Sequence, residues 1–143
     1  MAITSSIATS FKVEILKGVH NFTATSGNTF NLALYTSSAS LGAATTAYTT
    51  SNEISGTGYT AKGNALTSVT PVASSTTAVC DFADTSWTSA SFTARGCMIF
   101  NDSASGDPTV CCIDFGADKT VTSGTFTIQF PTADASNAIV RIA

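Results

Sequence analysis

The sequence predicts an all-β fold: an antiparallel β-sandwich, jelly-roll or immunoglobulin-like in type, with one short N-terminal helix. Threonine and serine account for 25 and 19 of the 143 residues, and β-branched threonine suits a pleated surface with one wet face. Only 10% of the residues are charged, against about 25% in an average domain. About seven short segments of alternating polarity follow the helix, at the spacing typical of sandwiches and barrels.

Length and composition predict a single folded domain over residues 1–143, with residues 1–9 as an N-terminal arm. A chain of this size can bury about two-thirds of its unfolded surface, which is enough for a core. Apolar residues make up 43% of the chain and the net charge is −3. Disordered chains show the opposite combination, low hydrophobicity with high net charge.

The helix is predicted over residues 10–20, SFKVEILKGVH. The Ser10 hydroxyl can cap the first turn. Apolar residues recur at four-residue spacing at Phe11, Ile15 and Val19, with Leu16 beside them, and the charged residues 12, 14 and 17 face away. This pattern predicts an amphipathic helix packed on a sheet, and an arm that docks on a partner protein is the alternative.

Seven segments after the helix predict strands. Phe30, Leu32 and Leu34 alternate with residues of the other face in the first of them, and Pro71 places the second at an edge or a bend. The turn-rich NDSASGDP between the fourth and fifth predicts a hairpin with a long loop. The segments are NTFNLALY (28–35), LTSVTPV (66–72), TTAVCDF (76–82), SFTARGCMIF (91–100), TVCCIDF (109–115), SGTFTIQFP (123–131) and NAIVRI (137–142).

The glycine-rich stretch ISGTGYTAKGNAL, residues 54–66, is predicted to be a turn and not a phosphate-binding loop. A Walker A loop needs lysine directly after its second glycine, but Asn64 follows Gly63 and Lys62 precedes it. No βαβ unit surrounds the stretch, as a dinucleotide site requires. Tyr59 is expected to lay its ring across neighbouring strands. No cofactor is therefore predicted.

No catalytic or metal-binding residues are predicted, and the chain is not expected to be an enzyme. His20 is the sole histidine, and a structural hydrogen bond is its expected role in place of a triad. The Asn101, Asp102 and Asp107 cluster does not match the spacing of an EF-hand calcium loop. Other carboxylates are expected in turns, except Asp81 and Asp114, which lie in apolar strands and need a partner such as Arg95 or Lys119.

Cys80, Cys97, Cys111 and Cys112 are predicted to be core thiols, with disulfides as the alternative. They do not form the paired C-x2-C knuckles of a structural zinc site. Adjacent strand residues point to opposite faces, so one member of the 111–112 pair faces each side of the sheet. The predicted hairpin places Cys97 opposite residues 111–114, which allows a Cys97–Cys112 contact. A reducing cytoplasm favours thiols.

Trp87 is predicted to anchor the core, with its indole N–H in a hydrogen bond. The alternative is a sugar-binding platform formed with Tyr48 and Tyr59.

Nucleic acid and membrane are not expected partners. Only six basic residues exist, and they form no cluster that could displace counterions or hold anionic lipid. No apolar run approaches the roughly 18 residues of a transmembrane helix, and the N-terminus lacks the pattern of a cleaved signal peptide. Synthesis in a cytoplasm is therefore expected.

Several stretches together resemble small structural proteins of tailed bacteriophages, over most of the chain. The stretches are SFKVEILKGVHNF, NTFNLALYTSSASLGAATTAYTTSNEISGTGYTAKGNALT, DTSWTSASFTARGCMIFND, CIDFGADKTVTSGTFTIQFP and AIVRI. The resemblance implies a virion protein made in the bacterial cytoplasm. It implies no catalytic residue.

Two placements in the virion follow from this resemblance. A capsid cement or decoration protein would bind the major capsid protein as a homodimer or homotrimer and stabilise the head. A tail or fibre component would serve host attachment, with carbohydrate as a candidate ligand. In either case Ala2, Ile3, Ile7 and Phe11 are candidates for a partner-docking arm, because short apolar segments can lie in a groove or extend a partner's sheet.

Overall fold

The computed structural model describes residues 2–143 and shows an all-β chain with two antiparallel sheets and a single short helix. The predicted fold class is confirmed. The elements in order are β1 (Ser6–Ile7), α1 (Thr9–Leu16), β2 (Phe30–Tyr35), β3 (Asn64–Ala65), β4 (Ser68–Ser74), β5 (Thr77–Phe82), β6 (Thr85–Asn101), β7 (Thr109–Ile128) and β8 (Val140–Ile142).

The larger sheet has five strands in the order β1-β7-β6-β2-β3, and the smaller has three in the order β4-β5-β8. Pro71 lies in β4, an edge strand whose register shifts between Val69 and Val72. Proline is tolerated there because an edge strand with a bulge does not need every N–H in the ladder. The prediction of an edge or a bend is confirmed.

The β6–β7 hairpin is longer than predicted and forms the centre of the larger sheet. Its strands have 17 and 20 residues and remain paired from Phe100↔Thr109 to Thr85↔Ile128. The sequence predicted two separate strands where β7 is continuous. Gly116 (φ 79°) and Ser123 (φ 46°) lie opposite register shifts in the ladder, so the chain bulges at these residues without leaving the sheet.

Both faces of β2 are covered, and all six of its residues are buried. Phe30, Leu32 and Leu34 belong to the main hydrophobic cluster, which also includes Cys80 and Phe82 of the smaller sheet. The opposite face of β2 packs in a second cluster with residues of the β2–β3 connection and of β6. That cluster consists of Ile3, Ala33, Tyr35, Ala39, Leu41, Met98, Phe100 and Cys112.

Helix α1 is shorter than predicted and ends at Leu16. The N–H of Gly18 donates to Ile15 O (3.3 Å) and that of Val19 donates to Glu14 O (3.0 Å), which is the Schellman pattern with Gly18 at φ 73°. The helix therefore stops because a glycine in the left-handed region closes it.

Two further expectations about the helix were wrong. Ala8 is the N-cap and supplies no side-chain hydrogen bond, whereas Ser10 lies inside the helix. Phe11 is 3% exposed, but Leu16, expected beside it, is 89% exposed. Within residues 2–143, no helix is long and apolar enough to cross a bilayer.

Candidate functional site

Of the four candidate arm residues, Ile3 and Phe11 pack on this chain itself, Ile7 is half-buried and Ala2 is exposed. Ile3 is 6% exposed and Phe11 is 3% exposed. The N-terminal segment runs beside Leu41, whose N–H donates to Ala2 O (3.2 Å) and whose carbonyl accepts from Thr4 N (2.8 Å). In β1, Ile7 pairs with Cys111. Docking on a partner stays a prediction, and it would require this segment to leave its place on the sheet.

All four cysteines are buried and unbonded. Cys111 lies in the main hydrophobic cluster and Cys112 in the second cluster on the opposite face of the sheet, as predicted for adjacent strand residues. The suggested Cys97–Cys112 contact was wrong, because Cys97 pairs with Ile113 and lies on the other face from Cys112. A shift of one residue in the β6–β7 register is enough to move a side chain to the opposite face of the sheet.

Burial suppresses the reactivity of these thiols. It raises the pKa of Cys80 and of Cys111 to about 12 and that of Cys112 to about 11. Burial also raises the pKa of Cys97 well above its usual range. The nucleophilic form of cysteine is the thiolate. Near neutral pH all four residues are therefore present almost entirely as the unreactive thiol.

The glycine-rich stretch forms turns, as predicted. Gly63 has φ 66°, and a Cβ there would overlap the carbonyl oxygen of Leu32 in β2. Only glycine fits this close approach of the turn to the sheet. Tyr59 packs its ring against Trp87 and Phe92 at centroid distances of 6.1 and 5.9 Å, which confirms its predicted position across the strands.

Glu53 organises this turn through three hydrogen bonds. Its carboxylate accepts from the hydroxyls of Tyr48 (2.6 Å) and Tyr59 (2.7 Å) and from the backbone N–H of Lys62 (2.7 Å). Burial, and then the bond to Glu53, raise the pKa of Tyr48 to about 12 and raise the pKa of Tyr59 further. Both phenols therefore stay protonated as donors, and the network is structural.

The ammonium of Lys62 bonds the two aspartates of the acidic loop after β6. Its Nζ lies 2.7 Å from Oδ1 of Asp102 and 2.8 Å from Oδ2 of Asp107. These two bonds raise the pKa of Lys62 above its ordinary value. Across residues 2–143, no three His, Cys, Asp or Glu side chains are grouped so that they could hold a metal ion.

His20 uses both ring nitrogens within the fold. The Asn101 amide oxygen accepts from the N–H groups of Ser103 (3.0 Å) and Ala104 (3.2 Å), so its NH₂ donates to Nδ1 of His20 (3.2 Å). The opposite nitrogen, Nε2, then carries the hydrogen and donates to Glu14 (2.8 Å). His20 therefore has the structural role that was expected, with two side-chain hydrogen bonds in place of the single one predicted.

The carboxylates in apolar strands also have structural partners. Arg95 Nε donates to Asp114 (2.9 Å), and Arg95 was one of the two partners predicted for this carboxylate. That hydrogen bond, and then the Gly116 N–H, lower the pKa of Asp114. Asp81 instead accepts from the Phe82 N–H (2.8 Å). Lys119 forms no ion pair with any carboxylate of residues 2–143.

Trp87 is a core residue, 4% exposed, which confirms the prediction of burial. Its ring contacts Phe92 and Phe126 edge-on at centroid distances of 6.3 and 6.0 Å. The expected acceptor for its indole N–H is not present within residues 2–143. An aromatic ring so enclosed offers no face for stacking on a sugar.

The sandwich has an open side, which the sequence analysis did not identify. A groove of about 780 Å³ lies between β7, whose outer edge β1 covers only in part, and residues 129–139, which lead into β8. Apolar side chains line most of it, chiefly Ile7, Ile113, Phe115, Phe126, Ile128, Phe130 and Ile139. Lys119 is the one charged residue among the lining residues.

The outer edge of β7 is unpaired along this groove. Strand β1 covers only Cys111 and Cys112 of that edge, and Ser5 Oγ accepts the N–H of Asp114 (2.9 Å). From Phe115 to Ile128, no strand of the described chain pairs with the outer edge of β7. A signal for this surface existed in the sequence, since Phe126, Ile128 and Phe130 alternate with polar residues, but only the tertiary arrangement shows that they line an open groove.

Comparison with protein-family models, with curated protein sequences and with solved structures found no match to this chain. Its function is therefore inferred from its own residues.

Proposed function

We propose that this chain is a structural protein of a tailed-bacteriophage virion, most simply a capsid cement protein that binds the major capsid lattice and stabilises the head. The stretches quoted above that resemble phage structural proteins support the virion assignment. The site geometry supports a role in binding. The partner is then the major capsid protein, and a homodimer or homotrimer is the expected assembly on the lattice.

The observation that carries the proposal is the unpaired edge of β7 above an apolar groove. An exposed strand edge presents a row of N–H and C=O groups that can pair with another chain. The edge runs from Phe115 to Ile128, and Phe115, Lys119 and residues 126–128 of it line a groove of about 780 Å³. A surface of this type suits protein–protein association through area and shape.

The polar groups that could have performed chemistry are already engaged in the fold. Both nitrogens of His20 are hydrogen-bonded, and the Lys62 ammonium bonds two aspartates. The hydroxyls of Tyr48 and Tyr59 are bonded to Glu53. These arrangements favour a rigid binding module over a reactive site.

Immunogold labelling of virions of the phage whose genome encodes this chain tests the proposal. Label over the head is the expected result. A second measurement compares the temperature at which heads with and without this protein release their DNA, and heads that lack it should open at a lower temperature. Label confined to the tail would favour the attachment alternative, and virions free of label would refute a virion role.

A further inference from the structure

We propose that the groove beside β7 binds an extended segment of the partner protein, which adds a strand to the free edge of β7 and places a carboxylate against Lys119. This inference rests on the proposed function, because the partner is taken to be the capsid protein. It specifies the chemistry of the segment: extended backbone, alternate apolar side chains and one acidic residue.

The strand edge determines the backbone of the occupant. Beyond Asp114, whose N–H is bonded to Ser5 Oγ, the outer edge of β7 has no strand neighbour within residues 2–143. Main-chain groups at such an edge are paired best by another extended main chain. A lipid chain could contact the apolar lining but would leave these N–H and C=O groups without partners, so a peptide is favoured.

The groove determines the side chains of the occupant. Its base reaches Cys97, Cys111 and Phe126, which belong to the main core cluster. Phe115 and Ile139 line it and are only partly buried. Because alternate residues of a strand face the same side, an added strand would direct every second side chain into this space. Apolar side chains at those positions would extend the core.

Lys119 determines the charge expected of the occupant. Its side chain lines the groove and is exposed, and no carboxylate of residues 2–143 pairs with it. The other polar lining residues, Ser5, Ser6, Thr127 and Gln129, are neutral. A carboxylate on the incoming strand would neutralise this lysine. A charge facing inwards at a sheet edge also disfavours pairing with a second copy, since two lysines would then enter the same interface.

The test uses full-length protein and heads assembled from the same phage's capsid protein without this chain. Binding of wild type is compared with Lys119→Glu and with Lys12→Glu, a matched control in α1 that makes the same charge change at another exposed lysine. We expect Lys119→Glu to weaken binding by about tenfold or more, because one partner of a charge pair is reversed. Lys12→Glu should bind as wild type does.

Carbodiimide treatment, which joins contacting amines and carboxylates, should link Lys119 to an acidic residue of the capsid protein, identified by mass spectrometry. Amide hydrogen exchange should show protection of residues 115–128 in the bound form. Equal binding of wild type and both variants, with unprotected amides, would overturn this inference and leave the cement function standing. A Lys119 cross-link between two copies of this chain would replace the partner with a second copy.

Absence of wild-type binding to the heads would refute the cement function itself, and the inference with it. Thermal unfolding of both variants provides the control for folding. Because Lys119 and Lys12 are exposed, both variants should unfold within a degree or two of wild type.

Discussion

Nζ of Lys62 lies 2.7 Å from Oδ1 of Asp102, and this bond joins the last turn of the β2–β3 connection to the loop of the β6–β7 hairpin. The same ammonium lies 5.6 Å from the ring centroid of Tyr48 and 5.9 Å from that of Phe100. One side chain therefore holds the long connection over the second hydrophobic cluster, to which Phe100 belongs.

Replacing Lys62 with methionine should lower the free energy of unfolding by about 1 kcal/mol, the upper part of the range for partly exposed ion pairs. The side chain of Lys62 is 41% exposed, so solvent screens the interaction. The loss should appear as a decrease in Tm of about 2–4 °C and should shrink in high salt. Lys12→Met is the control, and an equal decrease in both variants would contradict this role of Lys62.

The pH dependence of this contribution follows from the raised pKa of Lys62. A group whose folded-state pKa is raised contributes its full stabilisation below the unfolded pKa, about 10.4 for lysine, and loses it as the pH rises through the folded value. The stability difference between wild type and Lys62→Met should therefore be constant from pH 7 to pH 9 and decline only at more alkaline pH. Urea unfolding at a series of pH values measures it.

Gly63→Ala should destabilise the protein more than Gly18→Ala, although both glycines have positive φ, 66° and 73°. A left-handed residue with a Cβ costs roughly 1–2 kcal/mol at either position. At Gly63 the added methyl would also overlap the carbonyl oxygen of Leu32, whereas at Gly18 nothing lies within 4 Å. We expect a loss of about 1 kcal/mol for Gly18→Ala and of more than about 3 kcal/mol for Gly63→Ala.

Chemical denaturation of the two variants gives this comparison directly. Equal losses would mean that the turn can move away from β2, and that the strain lies in the backbone conformation alone.

Local patterns predicted most of the strand segments because apolar and polar residues alternate along them. The elements that were predicted less well depend on contacts between distant residues. Gly116 and the residues near Ser123 are typical strand-ending residues, yet the ladder with β6 continues past them through bulges. Leu16 fits the apolar side of a helix by spacing, but the helix ends there, so its side chain faces solvent.

The candidate site was the least predictable part. Lys62 precedes its partners by 40 and 45 residues, so no local pattern connects them. The groove depends on which sheet edge remains uncovered, which is decided by the two-residue length of β1 and by the path of residues 129–139. The alternation of apolar and polar residues in β7 would be the same whether or not another strand covered its edge, so it does not predict the groove.

The four thiols should be unreactive in the folded protein. At pH 8 a pKa of about 11 for Cys112, or of about 12 for Cys80 and Cys111, leaves almost all of each residue as thiol. Burial also blocks access. We expect the folded chain to react with Ellman's reagent many times more slowly than the chain in guanidinium chloride, where all four cysteines should react.

Intact mass measured without reductant completes this test. A mass two hydrogens below that of the reduced chain would reveal a disulfide and would support the alternative of cross-links formed after release into an oxidising medium.

The N-terminal segment should behave as part of the core before any partner is present. Ile3 is 6% exposed, and a Cβ added at Gly96 in β6 would lie 2.8 Å from its Cδ1, so it is closely packed on the sheet. Ile3→Ala should cost about 2–4 kcal/mol, as for a buried aliphatic residue. Ile142→Ala is the control, since Ile142 is 56% exposed and its replacement should cost well under about 1 kcal/mol.

Limited proteolysis of the free protein should leave residues 2–8 uncut. Rapid cleavage there, together with an unchanged stability of Ile3→Ala, would show instead that the segment is free to dock on a partner.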